Sequence, residues 1–266
     1  MVLRQLTPSP LILNFALNFT EGEILIIDKP YGWTSFDAVK RVRGAIQRRL
    51  DVKKFKVGHA GTLDPLATGV LIVCTGAATK RIETLQAGDK EYVATIRLGA
   101  TTPSYDLEKD IDAYFPVSYI TLPMVEEALG AFRGRIMQVP PVFSAVKVDG
   151  KRAYKYARKG AEVELKAKPL EISELELLSF REVSEPGDDG SDDRRFVDIT
   201  VRVVCSKGTY IRALARDIGE ALGSGAHLTA LRRTRVGECR VEDALSVDQT
   251  VELIKIVSIQ DKEKSL

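Results

Sequence analysis

With 266 residues, 44% of them hydrophobic and 29% charged, the chain has the length of one large domain or two small ones and the composition of a folded globular protein. Three widely separated cysteines and two histidines give neither a disulfide framework nor the donors of a His/Cys metal site, so reduced thiols in a cytoplasmic protein are expected. The net charge of +2 hides an uneven distribution: 182–193, EVSEPGDDGSDD, carries acids and no base, whereas 40–56, 147–168 and 212–235 are strongly basic. Basic runs are usually solvated helix faces, but tyrosines inside the second one favour a polyanion such as nucleic acid.

The apolar run LILNFALNF (11–19) is broken by two asparagines and lacks the flanks of a signal peptide, and no run reaches the ~18 apolar residues of a membrane span. EGEILIIDKP reads as a short strand ending at Asp28-Lys29-Pro30. TSFDAVKRVRGAIQRRL follows as a helix, with Thr34 and Asp37 spaced as a capping box and Val39, Val42 and Ile46 on one face. After a glycine-rich loop comes the strand VLIVCT, then a short helix near ATKRIETLQ. KEYVATIRLG alternates, with Tyr92, Ala94, Ile96 and Leu98 on one face of a half-buried strand. TLPMVEEALGAF is a helix opened by Thr121 and Pro123. Strands follow around 142–148, 170–180 and 196–205. The helix GTYIRALARDIGEALG then places Ile211, Leu214, Ala215, Ile218 and Leu222 on one stripe. Strands and helices mix without a strict βαβ rhythm, which predicts an α+β fold with a mixed, largely antiparallel sheet. The acidic 182–193 segment reads as a surface loop between two strands.

Two residues stand out chemically. Asp64 lies in GHAGTLDPLATGVL, a loop tied to a buried strand. DPLATG fits Asp64 as a helix N-cap with Pro65 at the first helical position, although Gly69 would limit that helix to a single turn. The following proline would also hold Asp64 extended on a stiff backbone, presented outward. Arg212 falls in the first turn of its helix, where the dipole disfavours a cation, so a carboxylate of the protein or a bound phosphate nearby would resolve the conflict; otherwise the side chain simply extends into water.

DKPYGWTS, GHAGTLDPLATGVL, KEYVATIRLG, QVPPVFSAVKVDGKRAYKYARKG and CSKGTYIRALARDIGEALGSGAHLTALRRTRVG occur in this order. Together they resemble the TruB family of tRNA pseudouridine-55 synthases over roughly residues 21–240. The resemblance implies isomerisation of a T-loop uridine of tRNA without cofactor or metal, on a pseudouridine synthase fold. Asp64 matches the catalytic aspartate, acting at ribose C1′, at uracil C6 or as a base on the ribose. Arg212 matches its arginine partner, Tyr92 the tyrosine stacked on the flipped base, and Tyr210 a second pocket tyrosine. Leu231 falls at an apolar wall under the base and His59 at a group that props the space left by flipped bases. Lys29 and Pro30 brace the active-site loop, Lys29 being grouped with the substrate-binding residues. The insertion near 138–168 would close over the T-stem with Lys147, Lys151, Arg152, Lys155 and Arg158 on phosphates beside Tyr154 and Tyr156.

The expected organisation is an N-terminal extension over 1–20, a catalytic domain over 21–245 and a C-terminal helix and tail over 246–266, without the PUA domain of many relatives. tRNA affinity would then rest on the catalytic domain and be salt-sensitive. A monomer is expected, with no guide RNA and no membrane partner. A non-catalytic tRNA-binding or folding protein and a guide-dependent ribosomal RNA synthase are the alternatives. The first would not require Asp64, Tyr92, Tyr210 and Arg212 together, and the second usually carries the additional domain.

Overall fold

Thr34 and Asp37 form the predicted capping box at the head of helix Ser35–Arg49: the Thr34 hydroxyl accepts from the Asp37 N–H, and the Asp37 carboxylate accepts from the Thr34 N–H. Ala38, Val39, Val42, Ala45 and Ile46 are the buried face of that helix. They share a core with helix Val247–Ile256, which opens on a second capping box, Ser246 with Gln249. The computed structural model describes residues 16–144, 146–148, 150–153, 156, 164–186 and 193–259. These residues pack as two units, one made of the chain through Lys90 together with Arg232 onward, the other of Glu91–Leu231.

In the first unit, strand Ile24–Lys29 lies between Leu245–Ser246, which is parallel to it, and Ala67–Thr75, which is antiparallel. Val57–His59 also pairs with Ala67–Thr75, and Arg235–Val236 with Cys239–Arg240. Nearly every residue of Ala67–Thr75 is buried, as its apolar run Val70–Cys74 leads one to expect. Leu17 and Phe19 belong to this core, and Ala16–Leu17 pairs with Ser258–Ile259, so the described end of the 1–20 segment is built into the unit. The three cysteines are free and buried, and burial pushes the Cys74 thiol up to about 11.

In the second unit, Lys90–Leu98, Arg194–Cys205, Lys168–Glu185 and Gly134–Gln138 are successive strands, with the start of Ala226–Val236 beside the first. Tyr92, Ala94, Ile96 and Leu98 are buried as the alternation predicts. Helices Leu122–Ala131 and Ile211–Ala221 belong to this unit, and the stripe Ile211, Leu214, Ala215, Ile218 and Leu222 is buried. Five α-helices and mixed strand pairing among the described residues make the fold α+β with a mixed, largely antiparallel sheet.

Three expectations change. The strand expected over 142–148 shrinks to Lys147–Val148, paired with Lys151–Arg152. The acidic segment is partly strand, because Lys168–Glu185 pairs with Arg194–Cys205 as far as Glu185; residues 187–192 lie outside the described residues. Strands Gly134–Gln138 and Ala226–Val236 are additional to the elements the sequence predicts. Among the described residues no helix is long and apolar enough to cross a membrane.

Removing the first capping box should register directly in stability. Thr34→Ala is expected to lower the unfolding free energy by about 1 kcal/mol, read from urea denaturation.

Candidate functional site

Asp64 does not cap a helix. The Ala67 N–H donates to the Asp64 carbonyl at 3.1 Å, closing a turn with Pro65 at its second position, and the chain enters strand Ala67–Thr75 directly. The N-cap expectation fails because the strand begins at Ala67 and Gly69, at φ +102, pairs with Lys29. Asp64 itself is half-buried, at the head of this turn.

What fixes the turn is a set of donors from elsewhere in the same unit. The Arg233 guanidinium, 1% exposed, donates to Gly61 O at 3.1 Å, Thr62 O at 3.3 Å and Val70 O at 2.8 Å. The Ser35 hydroxyl accepts from the Leu63 N–H at 2.8 Å and donates to Leu63 O at 3.0 Å. The Gly32 N–H donates to Pro65 O at 2.9 Å. The Lys29 ammonium, 0% exposed, reaches Pro65 O at 3.3 Å, Pro30 O at 2.9 Å and Trp33 O at 2.6 Å. Every carbonyl from Gly61 to Pro65 is thereby engaged, which leaves the backbone around Asp64 one conformation. The buried Lys29 ammonium is thus bonded to three carbonyls around this loop.

Burial lowers the Lys29 pKa from 10.5 to about 8, with the Asp64 charge opposing the shift and Arg233 adding to it. His59, on strand Val57–His59, is half-buried with Nδ1 lacking a hydrogen-bond partner among the described residues. Burial pushes its pKa below the ordinary value, which keeps the imidazole neutral at pH 7 and suits a spacer better than a proton carrier.

The second unit holds the other candidates. Arg212 sits in the first turn of helix Ile211–Ala221, and the anion its position calls for is present: Asp106 Oδ2 lies 3.6 Å from its Nε, both side chains being buried. The guanidinium also donates to Ser104 O at 3.1 Å and Phe143 O at 3.0 Å. Thr102 and Ser104 hydroxyls hold the Asp106 carbonyl, and the Glu108 N–H holds its carboxylate. Between them Tyr105 adopts φ +60, a left-handed conformation costly for a tyrosine, with the Arg216 guanidinium over its ring at 5.2 Å. Tyr210, half-buried at the N-cap, has its backbone N–H and carbonyl both bonded by the Gln138 side-chain amide, at 2.9 and 3.2 Å. Tyr92 is 9% exposed and Leu231 half-buried. Among the described residues no group of three His, Cys, Asp or Glu could hold a metal ion.

Residues 47–211 match the model of the TruB family pseudouridylate synthase N-terminal domain, and residues 212–266 match that of the tRNA pseudouridylate synthase B C-terminal domain. The chain belongs to the TruB family. It is 62% identical over 245 residues to the tRNA pseudouridine synthase B of Phocaeicola vulgatus, covering 92% of this chain and 98% of that one. It is 57% identical over 249 residues to that of Parabacteroides distasonis, covering 93% and 100%. Among solved structures, a Cbf5-Nop10-Gar1 complex aligns with TM-score 0.60 and 29% identity over 88% of this chain and 55% of that chain, so the chain spans about half of that longer protein. The fold is the one such pseudouridine synthases share.

Set against the TruB models, Asp64, Tyr92 and Tyr210 fall in the N-terminal match and Arg212 and Leu231 in the C-terminal one. Lys29, His59 and Asp64 belong to the first unit; Tyr92, Tyr210, Arg212 and Leu231 belong to the second. In the basic insertion Tyr154, Lys155 and Arg158 lie outside the described residues, and so do the side chains of Lys147, Lys151 and Arg152. Tyr156 is half-buried. Sequence reasoning missed Arg233, Asp106 and Gln138, each of which works by holding another residue's backbone or charge. For Asp106 the signal was available, since Arg212 demanded an acid.

Two outcomes are expected. A Cβ at Gly69 would lie 2.1 Å from the Arg233 carbonyl oxygen at a positive φ, so Gly69→Ala should cost more than about 2 kcal/mol in chemical denaturation. Lys29 has a lower pKa folded than unfolded, so between about 8 and 10.5 the unfolded chain holds a proton the folded one lacks. Raising the pH through that window therefore favours the folded state. Urea titrations across it should show the native protein gaining stability relative to Lys29→Met.

Proposed function

We propose that the chain isomerises a uridine of tRNA to pseudouridine, the target being the T-loop uridine at position 55. The observation that carries this reading is the Gly61–Pro65 turn, whose carbonyls are all engaged so that one carboxylate, Asp64, is presented in a fixed place. The tRNA pseudouridine synthase B proteins named above, similar over nearly their whole length, support the substrate class.

The reaction is balanced within one nucleoside. The N1–C1′ bond breaks, the uracil turns, a C5–C1′ bond forms, the C5 proton leaves and N1 gains one. Nothing is oxidised or reduced, and side chains suffice. Asp64 serves as nucleophile at C1′ or C6, or as base on the ribose. A guanidinium has five N–H donors, so Arg212 can face the reacting carboxylate while held by Ser104, Phe143 and Asp106.

The target base must leave the folded loop to reach a half-buried carboxylate, and a flipped base needs a stacking surface. Tyr92 is assigned that surface, Leu231 the apolar wall below it and Tyr210 the exit of the C5 proton. His59, neutral at pH 7, props the vacated stack. The basic 138–168 insertion is assigned to T-stem phosphates, where contacts fix register and the folded loop's shape supplies selectivity.

Incubation of the purified chain with an unmodified tRNA transcript, without guide RNA, should place pseudouridine in the T-loop. Asp64→Asn should reduce the rate at least about a thousandfold while tRNA binding persists. Unchanged turnover in that variant would remove Asp64 from the chemistry.

A further inference from the structure

The basic run over 40–56 resolves in the first unit into a defined surface. Along helix Ser35–Arg49 runs a groove of about 640 Å³ lined by Trp33, Lys40, Arg41, Arg43, Gly44 and Arg48, among others. Gly44 has room beside it: an added Cβ would make an ordinary contact with the Arg48 guanidinium, at 3.5 Å. The acid on its wall, Asp37, is committed to the capping box, and its hydrogen bonds with Thr34 hold the carboxyl below the usual carboxylate range. Among the described residues no carboxylate lies within 4.0 Å of Lys40, Arg43 or Arg48, and Arg41 reaches Asp248 at 3.6 Å with both side chains largely in water. Phe36, 59% exposed, lies on the same helix with the Arg43 guanidinium 5.8 Å from its ring centroid.

Position distinguishes this groove from an ordinary solvated face. Gly32 and Trp33, at one end of it, are also parts of the Asp64 scaffold: the Gly32 N–H bonds the Pro65 carbonyl and the Lys29 ammonium bonds the Trp33 carbonyl. From Ser35 to Arg48 the helix rises roughly 20 Å, at ~1.5 Å per residue. A chain bound at Asp64 can continue directly along four unpaired or loosely paired cations.

We propose that this groove carries the sugar–phosphate backbone of the RNA whose uridine is presented to Asp64. The assignment rests on the uridine-isomerising reading above and extends it to the path of the substrate beyond the reacting nucleotide. The cations contact phosphates as charges, so the groove adds affinity and register without reading base identity.

The test uses the full chain and an unmodified tRNA transcript, with dissociation constants measured at several salt concentrations. Lys40→Ala/Arg43→Ala/Arg48→Ala is expected to raise Kd about tenfold or more near 0.1 M salt. The slope of log affinity against log salt should fall by about 2, at ~0.7 per lost phosphate contact. Gly44→Glu fills the groove with an acid while replacing a poor helix former, so it should weaken binding with the fold intact. Arg181→Ala/Lys255→Ala removes two exposed charges elsewhere and should change Kd less than about twofold. Groove variants with native Kd and salt slope, or control variants with an equal loss, would overturn the proposal. Mapping pseudouridine with the native chain in parallel keeps the two readings apart: product formation together with unaltered affinity in the groove variants removes the groove and leaves the enzymatic reading standing.

Discussion

A guanidinium with almost no exposed surface must find partners for its N–H groups, and Arg233 finds them on the backbone of the loop that carries Asp64. Burying such an ion costs several kcal/mol even after relaxation. Charge-assisted hydrogen bonds are worth roughly 1.5–3 kcal/mol each, so three of them offset that cost only if the carbonyls stay where they are. The ion and the loop therefore fix each other. Lys29 repeats the arrangement with three more carbonyls, and its pKa, brought down to about 8, records how much burial opposes its charge. Two cations shielded from solvent thus form the foundation beneath a carboxylate that is only half-buried.

The second unit follows the same logic with different chemistry. Arg212 occupies a helix position that electrostatics disfavours, and the loop around 102–108 is folded to supply its compensation. That loop contains Tyr105 at a positive φ, a conformation the surrounding hydrogen bonds must over-determine. Gln138 performs a comparable task for Tyr210, replacing a strand partner with a side-chain amide that bonds both backbone groups. In each unit the backbone or side chain of the residue assigned to the chemistry is held by neighbours from its own unit.

Legibility in the sequence follows the range of the deciding interaction. The Thr34–Asp37 box, the alternation from Tyr92 to Leu98 and the stripe from Ile211 to Leu222 are set by residues within a few positions of one another, and all are visible in one dimension. DPLATG was ambiguous because the same residues suit a helix start and a turn; the choice is made by pairing of Gly69 with Lys29 and by Arg233, far along the chain. Strand Ala226–Val236 was hidden because Arg232, Arg233 and Arg235 read as a charge run. One of the three turns out to be core. A single sequence does not say which way an arginine faces when its partners are backbone carbonyls about 170 positions away, since carbonyls carry no residue-type signal.

Helix Ser35–Arg49 shows how these levels meet. Thr34 starts it through a local signal, while its first residue, Ser35, bonds both backbone groups of Leu63 next to Asp64. One face supplies Val39, Val42 and Ile46 to the core; Lys40, Arg43 and Arg48 lie outside it and line the groove. A single element therefore locks the turn that carries Asp64, anchors the unit and displays the charge a polyanion would follow. That coupling restricts its sequence on three sides at once. Lys40, Arg43 and Arg48 are free of core, cap and loop duties, and there charge rather than packing has to account for the residue type.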